Sequence, residues 1–166
     1  MEAELEALHA RSFGWALACC DRDHDQASEV LQMAYVKVLE GTARFGGRSS
    51  FKMFLFGVIR KTAIEQRRRR WLDAGRLSRW AAARTPDADV ADPEHAASAG
   101  ESTRELRAAL ARLSRRQREL LHLVFYQDLT VEEAAGVLAI SVGSARRHYD
   151  RGKARLRLLL ASEARA

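Results

Sequence analysis

Both prolines of this 166-residue chain, Pro86 and Pro93, fall in one short stretch, and the long segments on either side have none. Proline inside a helix costs about 3 kcal/mol, so confining it to one place leaves the rest of the chain open to helix. Ala, Leu, Arg and Glu, which lose little side-chain freedom in a helix, dominate those segments. Apolar residues also recur at helical spacing. Between about Glu4 and Cys20 they are Leu5, Leu8, Trp15, Ala16 and Leu17. Between Gln26 and Glu40 the pairs Val30/Leu31, Ala34/Tyr35 and Val38/Leu39 return every four residues. No stretch alternates with the period of two that a strand requires, so the expected fold is all-α.

Punctuation divides the chain further. The segment Thr42–Ser50 holds Gly46 and Gly47 and ends in a serine suited to cap a helix. A third helix is expected from Phe51 to Arg70, with Phe51, Phe54, Leu55, Val58 and Ile59 as its buried stripe and Arg67–Arg70 at its end. From Trp71 to Ser102 the regularity fades, and Val90 is the one large aliphatic residue between 85 and 102. A segment so poor in apolar residues buries little surface, which predicts a flexible linker over 71–102, with 76–84 either a last helical turn or part of it. Two helical domains follow, at 1–70 and 103–166. In the second, Leu106, Leu110 and Leu113 form one stripe. Ser114-x-x-Gln117 has capping-box spacing and opens a helix containing Leu120, Leu121, Val124 and Phe125. Thr130-x-x-Glu133 repeats the device, and Ser141 is placed to cap a last helix running to about Leu160.

Charge follows the same partition. Residues 1–84 carry 15 Lys/Arg against 10 Asp/Glu, and residues 103–166 carry 13 against 7. Between them, residues 85–102 carry five acids and no Lys or Arg. Two basic blocks on an acidic tether suit a polyanionic partner, nucleic acid above all. The N-terminal Met1-Glu2-Ala3-Glu4 lacks the positive charge of a secretory signal. No apolar run reaches the roughly 18–20 residues that cross a bilayer. Membrane insertion is not expected, and the expected location is the cytoplasm.

Catalytic and metal chemistry find no foothold. Adjacent Cys19 and Cys20 would form a strained disulfide and offer no CxxC spacing, so they read as small buried side chains. His9, His24, His95, His122 and His148 have no metal-ligand spacing, and Gly46-Gly47 is not a phosphate-cradling loop. No cofactor, metal or enzymatic activity is expected.

Residues 129–153 have the layout of a helix-turn-helix: a short helix from Val131 to Ala139, a turn at Ile140-Ser141 and a longer second helix. Ala134 and Ala135 are small enough for two helices to cross closely, while Val137, Leu138, Ile140, Val142 and Ala145 supply a shared core. The second helix presents Ser144, Arg146, Arg147 and His148 in its first turns and Arg151 one turn on. Side chains in those positions meet base edges in a major groove, where arginine pairs bidentately with guanine. A dimeric repressor or activator would share this element, but would bind duplex DNA tightly by itself.

A longer pattern is more specific. Leu110-Ala111-Arg112-Leu113-Ser114-x-x-Gln117-Arg118-Glu119-Leu120-Leu121, Phe125–Ala135 and Ser141–Arg146 together resemble the promoter-recognition domain of extracytoplasmic-function (ECF) sigma factors. His9, Trp15-Ala16-Leu17, Ala27–Gln32, Phe45–Phe51 and Phe54–Arg60 resemble the core-binding and minus-ten-binding domain of the same family, in the same order. A response regulator shares part of the C-terminal pattern, but its receiver would need strands and an acidic phosphorylation pocket.

The resemblance implies an alternative sigma factor that joins core RNA polymerase and directs it to promoter DNA. It implies docking of the helix over Gln26–Glu40 on the β′ clamp helices through Glu29, Leu31, Gln32 and Tyr35, and a contact of the C-terminal domain with the β flap. It implies capture of melted minus-ten DNA by Arg44, Phe45, Arg48, Lys52, Phe54, Arg60, Lys61, Arg67 and Arg68. Ser144, Arg146, Arg147, His148 and Arg151 would read the minus-thirty-five duplex, and the acidic linker would thread toward the RNA exit path. Four departures from the family pattern stand out. Ser28 and Met33 replace common acids, Phe54-Leu55 replaces Trp-Leu, Lys61 stands at a typical Asn, and Arg147 at a small polar residue. Loss of acids from the docking helix suggests that phosphorylation at Ser28, Thr42, Ser49 or Ser50 restores negative charge. Control would then come from a Ser/Thr kinase or from an anti-sigma factor.

Overall fold

The structure, a computed structural model, describes residues 2–80 and 100–163. Seven α-helices, and no strand, occur among the described residues: α1 (Glu2–Cys19), α2 (His24–Leu39), α3 (Phe51–Trp80), α4 (Glu101–Ala111), α5 (Arg115–Phe125), α6 (Val131–Leu138) and α7 (Val142–Glu163). The all-α expectation holds. The described residues fall into two compact units: one of residues 2–46 and 58–80, the other of 47–57 and 100–163.

In the first unit α1 and α2 fold back as a helical hairpin. The turn between them places Asp21 and Arg22 in succession at φ 52° and 70°. The Asp23 carboxylate then caps α2, accepting from the Gln26 amide at 2.8 Å. Trp15, Ala16, Ala27 and Ala34 are fully buried, with Leu5, Val30, Leu31 and Val38 around them. Cys19 and Cys20 are buried and not joined in a disulfide, as their spacing implies. The segment before α3 turns through Gly47 at φ 70°, a left-handed backbone that glycine adopts without penalty. Ser50 caps α3 as expected, its hydroxyl 3.3 Å from the Met53 amide.

Helix α3 departs from the sequence reading in two respects. It continues to Trp80, ten residues past Arg70, so the start of the expected linker is helical. Leu72, Ala74, Arg76, Leu77 and Arg79 favour the extension despite Gly75, yet Trp71, Leu72, Asp73 and Ala74 are exposed, so no buried stripe announces it. Its buried stripe is also rotated. Leu55, Phe56 and Ile59 are fully buried, while Phe51, Phe54 and Val58 are half-buried. The remaining linker residues, 81–99, lie outside the described part.

The second unit realises the capping signals. The Ser114 and Thr130 hydroxyls accept from the Gln117 and Glu133 amides, and those side chains return to the Ser114 and Thr130 amides, at 3.0 and 2.8 Å. Ala109, Leu113, Leu121 and Leu159 form a buried cluster flanked by Leu110, Tyr149, Leu156 and Leu160. Gly152 lets α7 press onto α5, since a methyl there would lie 3.2 Å from Gln117 Cβ and 3.3 Å from Leu121 Cδ1. Glu119 is buried in α5, with Arg115 and Arg116 within 3.5 Å of its oxygens.

Candidate nucleic-acid interface

Helices α6 and α7 cross at Ala134, Ala135 and Ala145, all essentially without exposure. Small side chains at the crossing permit the close approach, and Val137 and Leu138 close the core beneath it. Of the residues assigned to that core, Ile140 is half-buried and Val142 lies at the surface, because they belong to the turn and the first exposed position of α7. Ala139 ends α6 in the left-handed region at φ 50°, ψ 49°. The Ser141 hydroxyl then accepts from the Ser144 amide at 3.2 Å and donates to the Ser144 hydroxyl at 3.0 Å, fixing the first turn of α7.

From this start α7 projects the residues singled out in the sequence. Arg146, Arg147 and Arg151 are exposed, and Ser144 and His148 are half-buried beside them. The Arg147 Nη2 lies 3.4 Å from the Ser144 hydroxyl. Arg146 donates to Glu132 Oε1 from both Nη2, at 2.6 Å, and Nε, at 3.3 Å. This hydrogen bond from Arg146, with backbone and Coulombic contributions behind it, holds the exposed Glu132 carboxyl below the ordinary glutamate range. Glu132 was not singled out in the sequence. A pairing across 14 positions and a turn leaves no periodic trace.

The minus-ten candidates are dispersed. Arg44, Phe45 and Arg48 are exposed on the segment before α3, with Arg44 Nε donating to the Gly41 carbonyl at 3.3 Å. Within the second unit Lys52 Nζ donates to the Gln127 carbonyl at 3.0 Å, and Phe54 meets Phe51 at 6.0 Å between ring centroids. Lys61 and Arg68 are exposed on α3. Arg67 Nη2 donates to the Cys19 carbonyl at 2.8 Å, joining α3 to the end of α1. Arg60 is 8% exposed and belongs to the packed side of α3.

On α2, Glu29 accepts from Gln66 Nε2 at 3.1 Å and Arg70 Nη2 at 2.7 Å. Gln32 is exposed, Tyr35 is half-buried with its hydroxyl 3.2 Å from His9 Nδ1, and Leu31 is part of the core. Burial raises the Tyr35 hydroxyl above its ordinary value. The same face carries two exposed apolar residues that the sequence pattern did not mark as surface, Val36 at 49% and Leu39 at 53%. Leu39 fits the helical stripe but lies in the last turn of α2 and is exposed. Ser28, Thr42, Ser49 and Ser50 are all exposed, and the Thr42 hydroxyl donates to the Lys37 carbonyl at 3.0 Å. Lys37 itself spans to α3, donating to Thr62 Oγ1 at 3.1 Å and Glu65 Oε2 at 2.6 Å.

Among the described residues no helix is long and apolar enough to cross a membrane, and no three His, Cys, Asp or Glu are grouped to hold a metal ion. Residues 5–72 match the family model for Sigma-70 region 2, and residues 103–156 match that for Sigma-70, region 4. The ECF RNA polymerase sigma factor SigX of Bacillus subtilis is 31% identical over 138 residues, spanning 79% of this chain and 69% of its own. Among solved structures, the sigma factor RpoE in complex with the anti-sigma factor NepR from Bartonella quintana superposes with a TM-score of 0.74. That match covers 96% of each chain at 23% identity, a likeness of fold.

Proposed function

The chain belongs to the extracytoplasmic-function family of RNA polymerase sigma factors, and from that premise we propose how its parts divide the work. It is an alternative sigma factor, which binds core RNA polymerase and directs transcription initiation at selected promoters. Such factors are initiation proteins, not enzymes, and act in the cytoplasm with the polymerase. Domain 103–166 reads the minus-thirty-five duplex, domain 1–70 holds the polymerase and melted minus-ten bases, and the acidic segment up to residue 102 tethers them. Tethering raises the effective concentration of one module once the other has bound.

One observation carries this reading. The doubly capped α6–α7 element presents Ser144, Arg146, Arg147, His148 and Arg151 from the start of a long exposed helix, the geometry of a major-groove reader. Phosphate contacts fall to Arg147 and Arg151. In the minus-ten region Arg44, Phe45, Arg48, Lys61 and Arg68 suit a single strand, which wants cations along its backbone and aromatic faces for its bases. Docking on the β′ clamp helices falls to Glu29, Gln32 and Tyr35 with the apolar Val36 and Leu39 beside them, and the β flap meets the C-terminal domain.

Control is proposed to act on the same surfaces, through an anti-sigma factor or through Ser/Thr phosphorylation. Ser28 lies one residue before Glu29 on an exposed face, where a phosphate adds negative charge to the docking surface without removing a cap. Thr42, Ser49 and Ser50 are the alternative acceptors. The test is transcription in vitro with core polymerase on a genomic library. Selective transcripts are expected. Absence of selective transcripts together with failure to co-purify with core polymerase, in phosphorylated and unphosphorylated forms alike, overturns the reading.

A further inference from the structure

Arg146 and Arg147 are neighbours on α7 but are held in different ways. Arg147 reaches only a hydroxyl, at 3.4 Å, whereas Arg146 places Nε and Nη2 on one oxygen of Glu132. A guanidinium has two edges that each offer a parallel pair of N–H groups, one of Nε with Nη2 and one of Nη1 with Nη2. Glu132 occupies the first edge. The second keeps its Nη1 outside the pairing with Glu132 and offers two coplanar donors at the spacing that meets O6 and N7 of guanine. The Glu132 carboxylate also lies in the first turn of α6, where the helix favours negative charge.

We propose that Glu132 is a positioning residue that holds Arg146 as a preoriented reader of one guanine in the recognised duplex. The inference rests on the reading of α7 as a major-groove helix and deepens it. A flexible arginine loses rotamer freedom when it docks on a base edge, and the ion pair meets part of that loss before DNA arrives. The pair has no net charge, so Arg146 is a weak phosphate ligand, and non-specific attraction falls to Arg147 and Arg151. Discrimination and electrostatic grip are thereby placed on different arginines of one helix.

The test uses full-length protein with core polymerase on a promoter library randomised across the minus-thirty-five segment, with salt titrations of duplex binding alongside. Wild-type protein is expected to select a guanine at one position. Arg146→Ala loses that preference, Glu132→Ala weakens it roughly tenfold, and Glu132→Gln, which keeps an acceptor oxygen, retains part of it. In the Arg146→Ala background Glu132→Ala has no further effect on selection. Glu132→Ala alone steepens the salt dependence by about one phosphate contact, since it frees a cation. If wild-type protein is selective and Glu132→Ala keeps the same guanine preference, the positioning role fails while the sigma reading stands. An additive loss in the double variant shows that Glu132 merely supports the start of α6, and also overturns the role. If wild-type protein yields no selective transcript, the major-groove reading falls and the inference falls with it.

Discussion

In the first unit the bonds that join helices are distant in sequence. Arg67 reaches the Cys19 carbonyl across 48 positions, Lys37 spans 28 to Glu65, and Glu29 gathers Gln66 and Arg70 from 37 and 41 residues away. In the second unit, the polar bonds that define the helix starts run three positions, from Ser114 to Gln117, Thr130 to Glu133 and Ser141 to Ser144. One unit specifies its helix ends locally and then packs them through small residues. The other caps α2 locally through Asp23 but joins its helices through polar groups whose partners lie on another helix. The contrast teaches that the second unit can be specified piece by piece, whereas the joins of the first form only once its helices have met.

The sharpest way to break this contrast is at Trp15, a large, fully buried side chain of the first unit. Trp15→Ala is expected to cost about 3–5 kcal/mol in denaturant unfolding and to abolish polymerase binding. Duplex binding by the second unit is expected to survive, and its loss would show that the units are not independent. Gly152→Leu probes the close packing of α7 on α5. It is expected to cost about 1–3 kcal/mol by overpacking, read as a lower melting temperature and weaker duplex binding with polymerase docking retained. The local code is tested by Thr130→Ala, expected to cost about 1 kcal/mol through loss of the cap and seen as faster amide exchange in the first turn of α6.

The smallest effect concerns Glu65. The hydrogen bond from Lys37 holds its carboxyl below the ordinary value, against the opposing influence of burial, with Lys37, Lys61 and Arg69 adding Coulombic attraction. A carboxyl depressed in the folded state adds stability above its unfolded value, about 4.3, and loses it as pH falls through the folded value. The pair is only partly buried, with side chains 30% and 40% exposed, so solvent screens it and Glu65→Gln is expected to cost below about 1 kcal/mol at pH 7. That difference should vanish in acid denaturation curves taken below the ordinary glutamate range. A pH-independent cost would locate the effect in packing.

The same contrast governs what could be read from the chain. Ser50, Ser114, Thr130 and Ser141 announce helix starts because capping chemistry acts over three residues. Trp15, Leu120 and Leu138 were legible as core because burial imposes a period. The extension of α3 to Trp80 was not, since Trp71 and Leu72 are exposed and no period marks them. Leu31 and Arg60 carry the residue types expected of a docking face and a DNA contact, yet both side chains turn inward. The arginine run 67–70 reads as one basic patch in sequence. In the structure Arg67 serves the Cys19 carbonyl and Arg70 pairs with Glu29, because helix placement decides which cations remain at the surface.

The left-handed Ala139 at the end of α6 has a wider consequence. A methyl-bearing residue pays for φ 50° where glycine would not, so the bend between the two helices is imposed from outside the turn, by the alanine contacts that clamp α6 to α7. Replacing Ala139 with glycine should therefore relieve the strain of the turn while leaving the course of α7 unchanged. The letter at that joint is thus constrained by strain, while the course of α7 is set by its packing on α6.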